Sequence, residues 1–542
     1  MPDPDAIIIG SGPNGLVAAN VLCDAGWDVL VLEAQPRLGG AVASDSAVRE
    51  GWIHDTFSSF YPLAAASPTI AGLELERHGL EWVHAPAVVG HPLGDGRWAV
   101  LHRDRDATAA SLDELCPGDG DAWLELCRWW SRISQPLIGA LLTPFPPMRH
   151  GSSLALQAAR SGGLDAVRRM LMPARGLGQE LFRGEGPRLL LAGNAAHADI
   201  PVDSAGSGLM GLLLIMLGQE LGFPVPRGGA GSLSSAMAAR LEELGGVTRT
   251  SCPVVEVIVE DGRATGVRTA DGEQITCRRC VVADVAATSL YGGLVDWGHL
   301  PSRLRRRMAT FEWDPGTVKV DWALDGPIPW IGAPDRAPGT VHLAPSVDAL
   351  AVAGAEAAAG VVPRHGLVLI GQMATTDPTR APVGAESAWA YTHVPSTVRQ
   401  LSPAADGHRG IEPGPWSHDS AERMADRVQA RVEECAPGFA DRITARRVLG
   451  PVELESLDAN LVGGALNGGT AALQQQIVFR PVPGMGRAET PIKGLYLGSA
   501  SAHPGGGVHG ACGSNAARAA LAHARVPSWL RPARRAASAP DV

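Results

Sequence analysis

Two stretches of the chain combine a short apolar run, a glycine-rich turn and an Ala-rich helical pattern, one near each end. In the first, residues 5–9 predict a buried strand, 15–25 a helix, and 28–32 a second strand. In the second, residues 494–500 lead into a glycine-rich turn at 503–510 that opens another helical pattern. A helix N-terminus reached through glycines offers free N–H groups and partial positive charge to an electron-rich group. The two turns together predict one extended cofactor that is held at both ends.

The first turn has the spacing of a dinucleotide-binding fingerprint. Gly10 permits the tight turn, Gly12 lets the backbone approach a pyrophosphate, and Gly15 lets helix and strand pack closely. Glu33 closes the second strand, where an acid accepts hydrogen bonds from ribose hydroxyls and disfavours a 2′-phosphate. FAD or NAD is therefore expected rather than NADP. An ordinary glycine-rich turn is the alternative, and the complete order of strand, turn, helix, strand and acid disfavours it.

Five further segments carry a family resemblance: 37–40 (Arg-Leu-Gly-Gly), 51–56, 226–233, 494–500 and 505–521. As a set they resemble the phytoene desaturase and amine oxidase superfamily of FAD-dependent oxidoreductases. Within it, they are most similar to the bacterial phytoene dehydrogenase-like branch and the pyridine nucleotide-disulfide oxidoreductase domain-containing protein 2 group. The resemblance implies an α/β fold, with a Rossmann-type FAD-binding domain interleaved with a mixed α+β substrate domain that carries a helical roof.

The domain organisation follows from this resemblance and from the pattern along the chain. Residues 233–244 predict a helix, and turns at 260–263 and 270–273 punctuate the strands that follow. Residues 91–227 predict a largely helical region. We assign residues 1–90, 228–311 and 481–530 to a discontinuous FAD-binding domain. Residues 91–227 and 312–480 form the substrate domain, and residues 531–542 form a disordered tail.

The fingerprint and the resemblance together assign the cofactor contacts. Val254 matches a backbone contact to adenine, although any strand valine would fit there, and Arg37 matches a turn beside the pyrophosphate, where an isolated arginine would be a surface cation. The final strand end is expected at the ribityl diphosphate, and the second glycine turn beside the pyrimidine side of the isoalloxazine. The candidate cofactor-binding residues are Gly10, Gly12, Pro13, Asn14, Gly15, Glu33, Ala34, Arg37, Gly39, Gly40, Val254, Gly498, Ser499, Val508, His509 and Gly510.

Two histidines of the second turn are the catalytic candidates. Hydride removal needs an acceptor, a dry site and at most one base, and imidazole titrates near neutral pH. His503 matches a position often occupied by histidine in the family, where fixing the loop by hydrogen bonding is the alternative role. His509 replaces a proline common in carotenoid desaturases, which argues against a polyene substrate.

The substrate pocket is expected to be apolar with aromatic walls. Core packing is the alternative role for its tryptophan candidates, which are Trp52, Trp123, Trp129, Trp130, Trp313 and Trp389. His197 and Asp199, near Asn194, are candidate polar contacts on the roof, and a solvated loop is the alternative. Ser-His-Asp, Walker and HExxH motifs are not found, which disfavours a hydrolase, an NTPase and a metalloenzyme.

Charge and cysteine usage narrow the function further. The net charge of -10 argues against nucleic-acid binding, since the basic clusters at 303–307 and 531–535 are typical of solvated faces or termini. The close pair Cys277 and Cys280 has no second pair or nearby histidines, so we expect it to be structural and expect no metal. Cys512 follows the second turn, and some relatives attach flavin through cysteine. Its register differs from theirs, which favours a packed small residue.

The expected location is cytoplasmic, because the acidic residues 1–5 lack the basic region of a secretory signal. The longest apolar stretch, 209–217, is far shorter than the roughly 20 residues that span a bilayer, so a buried helix under the roof is expected. Relatives that act on carotenoids collect them from lipid, which allows a peripheral membrane contact.

The leading hypothesis is an FAD-dependent oxidoreductase, a desaturase or dehydrogenase that takes hydride from a hydrophobic small molecule such as an isoprenoid or natural-product intermediate. One alternative is an FAD-dependent isomerase without net redox change. Another is a non-catalytic lipid-partner binding protein, since Rab escort and GDP-dissociation inhibitor proteins resemble this fold. The two complete cofactor turns argue against that class. The pattern leaves the oligomeric state open.

Overall fold

A computed structural model describes residues 3–400 and 410–525 of the chain. The predicted disordered tail, 531–542, lies outside these residues. Within them the strands are β1 (Ala6–Ile9), β2 (Val29–Leu32), β3 (Ser44–Asp45), β4 (His54–Asp55), β5 (Trp82–Val83), β6 (Ala87–Pro92), β7 (Trp98–Leu101), β8 (Val225–Pro226), β9 (Val247–Arg249), β10 (Val254–Glu260), β11 (Arg263–Thr269), β12 (Gln274–Thr276), β13 (Cys280–Ala283), β14 (Gly316–Leu324), β15 (Pro338–Leu343), β16 (Val368–Gln372), β17 (Glu386–Val394), β18 (Ile443–Leu449) and β19 (Leu495–Leu497).

Helices surround these strands. In chain order they are α1 (Pro13–Asp24), α2 (Pro62–Ala66), α3 (Pro68–Ala71), α4 (Arg105–Leu115), α5 (Asp119–Leu142), α6 (Met148–Arg160), α7 (Leu164–Leu171), α8 (Ala174–Leu181), α9 (Glu185–His197), α10 (Ser207–Leu221), α11 (Gly231–Glu243), α12 (Ala287–Ser289), α13 (Ser302–Met308), α14 (Val347–Ala358), α15 (Met373–Thr376), α16 (His418–Cys435), α17 (Pro451–Leu457) and α18 (Ala511–Arg525).

The first sheet is parallel and has the strand order β19-β13-β1-β2-β9. Strands β1, β2, β13 and β19 are buried on both faces and are therefore apolar throughout rather than alternating, whereas the edge strand β9 is mostly exposed. Ile8 packs with helices α1, α11 and α18 on one face, while Ile7 packs on the other face with residues of β10 and β11. This sheet confirms the Rossmann-type unit that the sequence predicts.

The second sheet has seven strands in the order β18-β14-β17-β16-β15-β6-β7 and is antiparallel except at the β6–β15 pair. Helices α4 to α10 form the predicted roof, and the two sheets come from alternating segments of the chain. The proposed domain boundary at residue 90 falls inside β6, a strand of the second sheet.

The apolar stretch 209–217 lies in helix α10, whose residues are mostly buried. The helix is buried as expected, and it forms part of the roof rather than lying under it. Among the described residues, no helix combines the length and apolar character needed to cross a bilayer.

Candidate functional site

The first glycine turn places a helix N-terminus at the carboxyl edge of the parallel sheet. Gly10 has φ +91°, and a Cβ at Gly15 would lie 2.2 Å from the Gly10 carbonyl oxygen, so both positions require glycine. Gly12 caps α1 without any side-chain hydrogen bond. A Cβ at Gly12 would lie 2.7 Å from Asp284 Oδ2, so the backbone there approaches its surroundings closely.

Glu33 ends β2 as expected, but in this structure it braces the turn. Its Oε2 accepts from the backbone N and Oγ of Ser11, at 2.8 and 2.6 Å, and Oε1 accepts from Gln35 N at 2.8 Å. A carboxylate has about four lone-pair sites, so acceptor capacity remains for a hydroxyl. Val254 begins β10 near this point, since Cys252 N donates to the Glu33 carbonyl at 2.8 Å.

A second loop packs against the first turn. Gly39 N donates to the Ser11 carbonyl at 3.1 Å, and a Cβ at Gly40 would lie 3.0 Å from Gly12 Cα. Ala34 and Arg37 of the same segment are exposed. The structure thus brings Gly39 and Gly40 onto the first turn and leaves the side chains of Ala34 and Arg37 facing outward.

The second glycine turn ends beside the first. A Cβ at Gly513 in α18 would lie 1.9 Å from the Asn14 carbonyl oxygen, so the N-terminal ends of α1 and α18 pack backbone to backbone. Gly510, the residue before α18, has φ +66°, and Gly498 N donates to the Ala283 carbonyl at 2.8 Å. Tertiary packing therefore brings together two turns that lie almost the whole length of the chain apart in sequence.

Both turns open into one cavity of about 440 Å³. Its walls are largely apolar, with roof residues such as Leu213 and Leu217 from α10. Seven of the predicted site residues line it, namely Gly12, Pro13, Asn14, Ser499, His503, Val508 and His509. The other predicted residues do not line it; these are Gly10, Gly15, Glu33, Ala34, Arg37, Gly39, Gly40, Val254, Gly498 and Gly510.

His509 is buried and neutral. Burial lowers its pKa to about 4. Its Nδ1 accepts a hydrogen bond from Ala511 N at 3.0 Å, so the proton of the neutral ring sits on Nε2. In this geometry His509 is a hydrogen-bond donor rather than a ready base.

His503 is held by a different contact. Its Nε2 lies 3.0 Å from the Thr143 carbonyl oxygen and donates to it, while Nδ1 is buried without a partner. Burial lowers its pKa below the usual value. The imidazole therefore keeps a free acceptor atom at the cavity.

Two acids that the sequence analysis did not single out also line the cavity. Asp284, directly after β13, accepts from Gly15 N at 2.7 Å through Oδ2. Burial raises the pKa of Asp284 to about 8 and also raises that of Asp458. The sequence signal for Asp284 is an acid directly after the apolar strand pattern at 280–283.

A buried lysine is the third residue of the cavity that the sequence analysis did not single out. Lys319 lies in β14, lines the cavity, donates to the Asp55 carbonyl at 3.0 Å and pairs with Asp321. Burial lowers the pKa of Lys319. Arg447 bridges Asp321 and Asp45, so the lysine stands in a fixed charge network. The sequence signal for Lys319 is a charged residue between Val318 and Val320 in an apolar strand pattern.

Some of the polar and tryptophan candidates line the cavity, and others do not. His197 and Asp199 line the cavity, and Asp199 is almost fully buried, so the solvated-loop alternative is wrong for them. Asn194 is buried in α9, where Nδ2 donates to the Leu190 carbonyl at 2.8 Å, and it does not line the cavity. Among the tryptophan candidates only Trp389 lines the cavity, whereas Trp123 and Trp130 are fully buried in the roof core.

The cysteines are all free within the described residues. Burial raises the pKa of Cys277 to about 11 and that of Cys512 to about 12, so both are thiols. Cys512 Sγ lies 3.5 Å from the Ala502 and Gly505 carbonyl oxygens and does not line the cavity. No His, Cys, Asp and Glu side chains of the described segments cluster as a metal site.

A family model for flavin containing amine oxidoreductases matches residues 14–287, more than half of the chain. The mouse pyridine nucleotide-disulfide oxidoreductase domain-containing protein 2 is 29% identical over 95% of this chain and 93% of its own length. A neurosporene-forming phytoene desaturase of Cereibacter sphaeroides is 26% identical over 95% of this chain and 94% of its own length.

The solved structures bear on the fold. The crystal structure of an oxidoreductase from Methanosarcina mazei has a TM-score of 0.59 to this chain at 16% identity, and the match covers 95% of this chain and 99% of that one. At that identity the likeness extends to the fold alone. The fold class and the family resemblance expected from sequence are thereby confirmed.

Proposed function

Because the chain belongs to the flavin containing amine oxidoreductase family, we propose that its flavin is FAD and that it removes hydride from a hydrophobic small molecule. The observation that carries this proposal is the meeting of both glycine turns in one largely apolar cavity. An isoprenoid or natural-product intermediate is the proposed substrate class, which the similarity to a phytoene desaturase supports.

The residues at the turns fit FAD. Because Gly12 has no side chain, its backbone leaves room for a pyrophosphate. Asn14 lines the cavity, and its Oδ1 is buried without a hydrogen-bond partner. Backbone groups at the start of α1 would hold the pyrophosphate, Glu33 the ribose, and Ser499 and Val508 the ribityl chain and ring system. Bound FAD supplies the hydride acceptor.

The protein's own part in the reaction is to exclude water and to orient the substrate. Leucines of α10 form an apolar wall, which strengthens the electrostatic interactions inside. His509 carries its proton on Nε2 and is also hydrogen-bonded to the backbone of Gly505 and Gly506, whereas His503 presents a free Nδ1. The family makes this chain an oxidoreductase, which disfavours the lipid-partner binding protein. The FAD-dependent isomerase stays open as the alternative, since a prolycopene isomerase is among the relatives.

The test is made on the purified protein. We expect it to be yellow and to release FAD, rather than FMN, on denaturation, as identified by chromatography. Anaerobic mixing with a panel of isoprenoid alcohols and hydrocarbons, and with amines as a comparison class, then shows which class bleaches the flavin. Colourless protein that cannot bind added FAD would refute the cofactor proposal, and reduction by amines alone would refute the substrate class.

A further inference from the structure

A cluster of polar side chains interrupts the apolar wall of the cavity. We call it the polar cluster, and it consists of His197, Asp199, Asp314, His393 and Asn467. His197, Asp199 and Asn467 line the cavity, while Asp314 and His393 stand behind them. These residues come from the end of α9, the segment before β14, strand β17 and the loop after α17. Polar groups are costly in an apolar wall unless they are satisfied, so their assembly here needs an explanation.

Asp199 is held in one orientation. Its Oδ1 lies 2.7 Å from His393 Nε2, and its Oδ2 accepts from Asn467 Nδ2 at 2.7 Å. Its backbone has φ +61°, a left-handed conformation that costs free energy for any residue other than glycine. Each carboxylate oxygen keeps a second lone-pair site, so Asp199 can still accept a hydrogen bond from a ligand.

His197 adds an unsatisfied ring nitrogen at the same place. Its ring packs edge-on against His342 and Tyr391, with centroids 5.6 and 6.1 Å apart, which fixes its orientation. Its Nδ1 is buried and has no hydrogen-bond partner. Burial lowers the pKa of His197 to about 4, so the ring is neutral. A neutral, immobilised imidazole with a free nitrogen can form a hydrogen bond with a polar group of a ligand.

The charges favour a neutral ligand group over a cation. Burial lowers the pKa of His393, but the Asp199 carboxylate outweighs it, and the net pKa is raised. When His393 is protonated, the imidazolium and the Asp199 carboxylate form an ion pair that cancels most of the charge. Burial, with the nearby Asp199 carboxylate, raises the pKa of Asp314 to about 7, so this acid adds only part of a negative charge. An ammonium group would compete with His393 for the Asp199 carboxylate and would gain little here.

We propose that the polar cluster binds the hydroxyl group of an otherwise apolar substrate, with Asp199 accepting its proton in a hydrogen bond and His197 as the second contact. This inference rests on the proposed function, because it names the substrate class of the same cavity. A hydroxyl both donates and accepts, as the carboxylate and the neutral imidazole require. A hydrocarbon would leave both buried groups unpaired and would bind less tightly.

The experiment uses FAD-loaded protein and anaerobic calorimetry with hexanol, hexane and hexylamine. We expect hexanol to bind roughly 10- to 100-fold more tightly than hexane, the scale of a hydrogen bond to a charged group. Hexylamine should bind more weakly than hexanol. FAD content is measured on the same sample, so a loss of the cofactor, which would count against the proposed function, is separated from a loss of hydroxyl preference.

Two variants and one control complete the test. Asp199→Asn keeps the shape and tolerates the left-handed backbone, and His197→Phe keeps the ring packing but removes the nitrogens. Each should reduce the preference for hexanol about tenfold, whereas Asp203→Asn, an exposed acid of the same segment paired with Arg175, should retain it. Equal binding of hexane and hexanol, a preference that survives both variants, or tighter binding of hexylamine would overturn the proposal.

Discussion

The two glycine turns and the polar cluster line the same cavity but are built in opposite ways. The turns consist of backbone: at Gly12 and Gly15 the absence of a side chain lets chain segments approach within a few ångströms. The polar cluster consists of side chains, and Asp199 is held by His393 and Asn467 from distant segments. In the function proposed here, backbone geometry would hold the cofactor, whereas side chains would recognise the polar group of the substrate.

The largest expected effect comes from filling the first turn. Gly12→Leu should leave the protein without flavin and lower its affinity for added FAD by roughly 100-fold or more, because the side chain occupies the space of the pyrophosphate. Flavin content and FAD titration measure this.

Gly94→Leu is the matched control for that variant. Gly94 is exposed, lies in the turn between β6 and β7, and has nothing within 4 Å of a Cβ. It should retain full flavin content. Normal FAD affinity in Gly12→Leu would show that the turn does not hold the cofactor.

Arg480 joins the two regions, so its loss should damage both. The buried guanidinium donates to the Asn467 carbonyl at the polar cluster and to the Thr470 and Ala500 carbonyls, the last near the second turn. Arg480→Met leaves these carbonyls unpaired and should lower the free energy of unfolding by about 3 kcal/mol or more. Denaturant unfolding measures this, and the control is Arg307→Met, at a half-buried arginine whose guanidinium donates to the Pro483 carbonyl. Equal stability of the two variants would contradict the bridging role.

His509 tests whether a side chain of the second turn takes part in the reaction. If His509 orients the substrate through Nε2, His509→Ala should lower the rate of substrate-dependent flavin reduction by a factor of roughly 100 while FAD stays bound. Because burial holds the pKa of His509 at about 4, the wild-type rate should show no imidazole titration near neutral pH. Stopped-flow reduction over about pH 6 to 8 measures both. An unchanged rate with full FAD content would remove His509 from the mechanism and leave His503 or no protein base.

Asp284 should make the stability of the apoprotein depend on pH. Its pKa of about 8 in the fold lies above the ordinary 3.8, so the folded state binds the extra proton between these values. The stabilisation is complete below about pH 4 and is lost as the pH rises through about 8. The Tm of the apoprotein should therefore fall from about pH 5 to about pH 8.5, and less so in Asp284→Asn than in the control Asp203→Asn. Parallel curves for the two variants would contradict the raised pKa of Asp284.

Cys512 carries the smallest expected effect. Its thiol is buried outside the cavity, so acid precipitation should release all the flavin from the wild type and from Cys512→Ala alike. The stability change should stay within about 1 kcal/mol. Flavin that stays in the pellet, within a peptide containing Cys512, would refute non-covalent binding.

The parallel sheet and both turns were predictable from the sequence because their signals are local. An apolar strand, a glycine turn and a helix are read from neighbouring residues, and β1, α1 and β2 begin and end within two residues of the predicted bounds. The family resemblance adds the helical roof. Which predicted residues bind cofactor or take part in the reaction stays a prediction.

Only the tertiary structure decided which polar residues meet at the cavity. Lys319 and Asp284 stand in apolar strand patterns, and nothing nearby in sequence indicates that both reach the same cavity. Asp199 looked like a loop residue until His393 and Asn467 were placed beside it. Backbone motifs depend on residues a few positions apart, and the sequence by itself determined them. A side-chain cluster depends on how sheets and helices pack, and it exists only once the chain has folded.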